Sequence, residues 1–80
     1  MIQIKNIVGV DVEINFDSTS EVIPSGTLID VNALNSCQSK QGVAKIISLI
    51  LSDNFEVYVD SVKKNHNVMT VYYHTNFNLW

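Results

Sequence analysis

Between residues 2 and 16 the apolar side chains fall on even numbers: Ile2, Ile4, Val8, Val10, Val12, Ile14 and Phe16. Asp11, Glu13 and Asn15 stand between the later members. A period of two is the signature of a strand with one buried face, and it is clearest over 10–16. Gly9, beside Ile7 and Val8, marks a bulge or tight turn that divides the stretch into two strands. The run Asp-Ser-Thr-Ser at 17–20 reads as a loop. Over 21–31 two short strands flank Pro24, Ser25 and Gly26. Proline presets the first central turn position, and glycine accepts the left-handed conformation that follows. Pro24 also lacks an amide donor, which places this corner at a sheet edge.

The period then changes. Asn35, Ser36 and Ser39 are candidate helix caps, and a helix is expected over about 39–52. Gln41, Lys45, Ser48 and Ser52 form one narrow polar stripe, while Val43, Ala44, Ile46, Ile47, Leu49, Ile50 and Leu51 fill the remaining circumference. A helix so widely apolar needs cover on more than one side, from its own sheet and from a candidate partner. Alternation resumes over 55–62, with Phe55, Val57 and Val59 on one face and Glu56, Tyr58 and Asp60 on the other. Lys63, Lys64, Asn65, His66 and Asn67 read as a five-residue basic loop, and the chain returns over 68–74 to close a hairpin. Asn76, Phe77, Asn78, Leu79 and Trp80 extend that strand or cross to a neighbouring subunit. Segregated strands and a single helix predict one α+β domain over 1–80: an antiparallel sheet of about five strands with the helix packed across one face.

Eighty residues make one small domain of 9.0 kDa. At 46% hydrophobic and 16% charged, the chain is too apolar for disorder and sparsely charged for a lone soluble domain. A domain of this size buries only about 60% of its unfolded surface. No disulfide can staple it, because Cys37 is the only cysteine. Association with copies of itself is the remaining common remedy, so a homo-oligomer is expected. The lone thiol fits a reducing cytosol, and neither a membrane helix nor a leader is read from the chain. Five lysines, no arginine and a net charge of -3 argue against a long nucleic acid as main partner.

Catalytic signatures are sparse. Gly42-Val-Ala-Lys45 lacks the leading glycine and following hydroxyl of a phosphate loop. His66, His74 and Cys37 do not have zinc-ligand spacing, and no cofactor is expected. Cys37 reads as a small buried thiol rather than a nucleophile. Asp11, Glu13, Glu56 and Asp60 lie on polar strand faces, where solvated charge is the commoner meaning and an acid–base pair the rarer one. A substrate cavity of several hundred cubic ångströms is also hard to carve from one such core, so a binder is expected, not an enzyme.

The candidate ligand-binding residues are Tyr58, Lys63, Lys64, Thr70, Tyr72 and His74. On the expected hairpin, Tyr58 and Tyr72 stand side by side with Thr70 and His74 in the same row. Tyrosines offer flat area for stacking and a polar tip. Lys63 and Lys64, with His66, form the positive cluster that would meet phosphates, in a pocket for one nucleotide-sized molecule.

Nine asparagines, no arginine, the length of 80 and the opening Met1-Ile-Gln-Ile-Lys-Asn-Ile-Val8 look like a product of an AT-rich phage genome. In composition and size the chain resembles the small accessory proteins of T4-like phages. That resemblance implies counter-defence by stoichiometric action on a host enzyme or defence system, in the host cytosol. Some such proteins are oligomeric sponges that sequester cyclic nucleotide signals. Three functions therefore stand as expectations. The first is a homo-oligomer holding a small nucleotide signal at a subunit interface. The second is an inhibitor of one host protein, docking through an acidic face of Asp11, Glu13 and Asp17. The third is a structural subunit of a viral assembly.

Overall fold

A computed structural model describes residues 1–65. The even-numbered alternation becomes strand β1, Ile2–Asn6, and strand β2, Val12–Phe16. The segment between them turns at Gly9, whose φ of +99° is open to glycine at no steric cost. Strand β3, Thr19–Ile23, returns along β2, and the three-residue strand β4, Leu28–Asp30, follows the proline corner. Two 3-10 turns, Val31–Ala33 and Asn35–Gln38, lead into helix α1, Lys40–Leu51. Strands β5, Phe55–Val59, and β6, Val62–Lys64, complete the described chain.

The α+β class is as expected, with the strands divided between two sheets. Four strands form an antiparallel sheet in the order β4-β1-β5-β6, and β2 with β3 forms a separate antiparallel ribbon. The helix lies between them, packed against β5 on one side and β2 on the other. Its second apolar side is thus covered by the ribbon within the same chain. Val43, Ile46, Ile47 and Ile50 are buried, while Gln41, Lys45, Ser48 and Ser52 are exposed as the polar stripe required. Ala44 and Leu51 are also exposed, so the buried stripe is narrower than the apolar composition suggests. Ser39 caps the helix, its hydroxyl oxygen accepting the Gly42 N–H at 3.3 Å.

The 3-10 turn at Asn35–Gln38 presses onto the first turn of the helix. A Cβ on Gly42 would collide with the Ser36 carbonyl oxygen and lie 2.8 Å from its carbon, so glycine is what permits this approach. Leu34, which precedes the turn, offers no side-chain cap. Glu21 of β3 supplies one from across the ribbon: its carboxylate accepts the Asn35 N–H at 3.0 Å, the Ser36 N–H at 2.8 Å and the Ser36 hydroxyl at 2.7 Å. Burial pushes the Glu21 pKa up. The hydrogen bonds from Ser36 and Asn35 outweigh it and hold the group below the ordinary carboxylate range.

Both hairpins close through two residues with positive φ, Asp17 and Ser18 at 47° and 63°, Asp60 and Ser61 at 50° and 69°. This is the type I′ habit that matches strand twist. It corrects the expected second hairpin. The turn is Asp60-Ser61, and Lys63 and Lys64 belong to strand β6 rather than to a loop. The expected return strand over 68–74 and the terminal run through Trp80 lie outside the described residues. Among the described residues, no helix is long and apolar enough to cross a membrane.

Candidate functional site

Asn6 is fully buried at the end of β1 and is hydrogen-bonded at both ends of its carboxamide. The amide nitrogen donates to the Val10 and Ile23 carbonyls, each at 2.9 Å, and the amide oxygen accepts the Val8 N–H at 2.9 Å. Its own carbonyl accepts the Gly26 N–H at 2.8 Å. One side chain therefore joins the four-stranded sheet, the connection at 7–11 and the end of the ribbon. Asn6 occupies the even, apolar register of β1. A polar residue in that register was the available signal for a buried organising group.

Because the main chain of 7–11 curls around Asn6, its apolar side chains face outward. Ile7 is 44% exposed, Val8 43% and Val10 64%, and Val22 on the ribbon is 54% exposed. The bonds from a single amide nitrogen to Val10 and Ile23 bring the connection and the ribbon together here. On the ribbon's outward face Val22 stands directly opposite Glu13. Asp11 is exposed nearby, its carboxylate accepting the Ser25 N–H at 3.1 Å. Val8, Val10 and Val22 are thus exposed apolar side chains on segments that also carry Asp11 and Glu13, while Ile7 lines a depression with Phe55, Lys63 and Lys64. Asp17, the third member of the expected acidic face, is at the ribbon's far turn, where its N–H donates to Gln41 at 2.6 Å.

The expected ligand-binding residues are partly assembled. Tyr58 and Lys63 are cross-strand partners on the outward face of the four-stranded sheet. Glu56 lies between them, accepting the Tyr58 hydroxyl at 2.9 Å and pairing with the Lys63 ammonium at 2.8 Å. The Lys63 hydrogen bond, then that of Tyr58, draws the Glu56 carboxyl below its ordinary pKa, and Glu56 in turn raises both Lys63 and Tyr58. Lys5 faces Glu56 from β1. Lys64, one residue on, emerges on the opposite face of β6 because side chains alternate along a strand. There it edges a depression of about 380 Å³ floored by Ile50, Phe55 and Val57. Lys63 lines the same depression, so both lysines stand at its rim although their side chains leave the strand in opposite directions. Thr70, Tyr72 and His74 lie outside the described residues, as does His66.

Cys37 is buried in the core, away from solvent. Of the four strand-face carboxylates, Asp11 and Glu13 belong to the ribbon side, Glu56 pairs with Lys63, and Asp60 pairs with the Met1 amine at 3.0 Å. Among the described residues, no three His, Cys, Asp or Glu side chains gather as metal ligands would. A broad, open depression of about 920 Å³ at the start of α1 has Ala44 and Ile47 in its lining and Asp17, Lys40 and Gln41 around them.

No family model matches the chain, and comparison with curated proteins and with solved structures likewise finds no match.

Proposed function

We propose that this chain is a non-catalytic binding protein that acts stoichiometrically on another protein, docking through Ile7, Val8, Val10 and Val22. The observation that carries this reading is the burial of Asn6 beneath outward-facing valines. A fully satisfied carboxamide fixes the main chain of 7–11, so the apolar side chains are presented in one conformation and little ordering remains for binding to impose. An apolar centre with a charged rim is the usual composition of a protein interface. The burial of Cys37 and the pairing of Glu56 and Asp60 support binding over catalysis. The phage-accessory resemblance supports a host protein as target.

Photo-crosslinking tests the reading. A photoreactive residue at Val10 of the full chain, in cells where the protein acts, should give one discrete adduct with a different protein. The same residue at Lys40 should not. Crosslinks only to a second copy, only to residues 66–80 of the same chain, or equally from both positions would overturn it.

A second reading, capture of a nucleotide-sized anion between copies of the chain, is favoured by the side-by-side placement of Tyr58 and Lys63. A flat ring beside an ammonium suits a base joined to a phosphate. Glu56 works against it by neutralising Lys63. Calorimetric titration with cyclic dinucleotides tests this reading, and absence of heat at micromolar protein ends it.

A further inference from the structure

We propose that Gln41 and Lys45 of α1 stand in for a third strand of the ribbon, closing the outer edge of β2 against the same strand of a second copy. This goes beyond the docking reading above and does not depend on it. Among the described residues, β3 is the only strand paired with β2, so the other edge of β2 has no strand beside it. A two-residue hairpin turn of this type is closed by a hydrogen-bonded pair, here Phe16 and Thr19. Bonded and non-bonded pairs alternate along an antiparallel ladder, so the N–H and C=O of Asn15 and of Glu13 point toward the open edge. Such an edge is a template for another chain.

The helix supplies the missing partners. The Lys45 ammonium donates to the Asn15 carbonyl, and the Gln41 side-chain oxygen accepts the Asp17 N–H at 2.6 Å. Residues 41 and 45 lie one turn apart on one helix face, which lets the two side chains reach neighbouring outward groups of the same edge. An added strand would have to take the Asn15 carbonyl from Lys45. Beyond Asn15 the edge opens at Glu13, where a depression of about 290 Å³ separates β2 from Lys45, Ser48 and Leu49.

A second copy of β2 suits this edge by its sequence. Antiparallel pairing about a twofold axis at Ile14 sets Glu13 of each copy against Asn15 of the other, and Val12 against Phe16. No like charges meet across the pair, and the contact is self-complementary, closing at two copies. Lysine facing the edge of a strand is a common guard against such pairing.

The test compares the full native chain with the double variant Gln41→Ala, Lys45→Ala by sedimentation and amide hydrogen exchange. Both side chains are exposed, so the fold should tolerate their loss. The variant should form dimers at roughly tenfold lower concentration than the native chain, as expected when one or two hydrogen bonds no longer compete. Its Asp17 amide should exchange faster as monomer, and those of Glu13 and Asn15 should gain protection as dimer. An unchanged mass across concentrations would overturn the proposal. So would association that leaves Glu13 and Asn15 unprotected, or protection of both amides already present in dilute native protein. Should the double variant fail to fold, Lys45→Met, which keeps most of the apolar stem, decides by the same two measurements.

Discussion

The carbonyl of Ser36 occupies the space that a side chain on residue 42 would need. Alanine is the better helix former by about 1 kcal/mol, so on propensity alone Gly42→Ala should stabilise the protein. The clash with backbone reverses the sign, because the 3-10 turn must move off the helix. Net destabilisation of about 1–3 kcal/mol is expected, read from urea unfolding at neutral pH. A gain in stability would mean the turn and helix are not in contact.

Glu21 makes stability depend on acid. Its folded pKa lies below the unfolded value, so its contribution is fully present above the unfolded carboxylate pKa and is lost as pH falls through the folded one. Glu21→Gln should cost about 1–2 kcal/mol at pH 7, from weakened hydrogen bonds to the Ser36 and Asn35 main chain. It should also flatten the fall in melting temperature between neutral and acid pH. Parallel profiles for the two proteins would rule out this role.

Asn6→Leu keeps the branching and the number of side-chain heavy atoms, in a somewhat larger volume, and discards three hydrogen bonds. It leaves the Val10 and Ile23 carbonyls and the Val8 N–H without that partner beneath the surface. A loss of roughly 3 kcal/mol or more is expected, since each buried polar group stranded costs about 1–3 kcal/mol. Hydrogen exchange should show the amides of Val8 and Gly26 losing protection first.

At the two hairpin turns a gain is available. Ser18 and Ser61 hold φ values of 63° and 69°, a conformation that L-residues reach only with strain. Ser61→Gly creates Asp-Gly, the favoured pair for this turn, and should stabilise by on the order of 0.5 kcal/mol after glycine's entropy is counted. Denaturant midpoints measure it directly.

If a nucleotide binds beside Tyr58, Glu56→Gln should strengthen it, because Lys63 would no longer be neutralised by its neighbour. The same change should bring the Tyr58 phenol back down toward its ordinary pKa, visible in the ultraviolet difference titration against the native protein. Unchanged or weaker nucleotide binding would speak for the protein-docking reading.

Period and capping carried much of the fold into view. Ile2 to Phe16 announced two strands and a break at Gly9, and Ser39 announced the start of the helix. The hairpin turns were hidden for a physical reason. Asp-Ser does not advertise two left-handed residues as Asp-Gly would, so Val62 looked like a continuation of β5 and Lys63 with Lys64 looked like a loop. Once the turn moves to Asp60, the pleat alternates those lysines along β6, and both still line one depression with Glu56 and Phe55. The division into two sheets was equally hidden, because alternation reports that a strand has an inner face and not which sheet it joins. Asn6 was legible only as an exception, a polar residue where the pattern called for an apolar one.

The hydrogen bonds that the Asn6 side chain makes to residues 8 and 10 reach main-chain atoms and so do not depend on the side chains there. Positions 8 and 10 are consequently interchangeable parts on a fixed mount. A lineage carrying this chain could swap those residues to follow a changing target, one substitution at a time, while the scaffold underneath kept its shape.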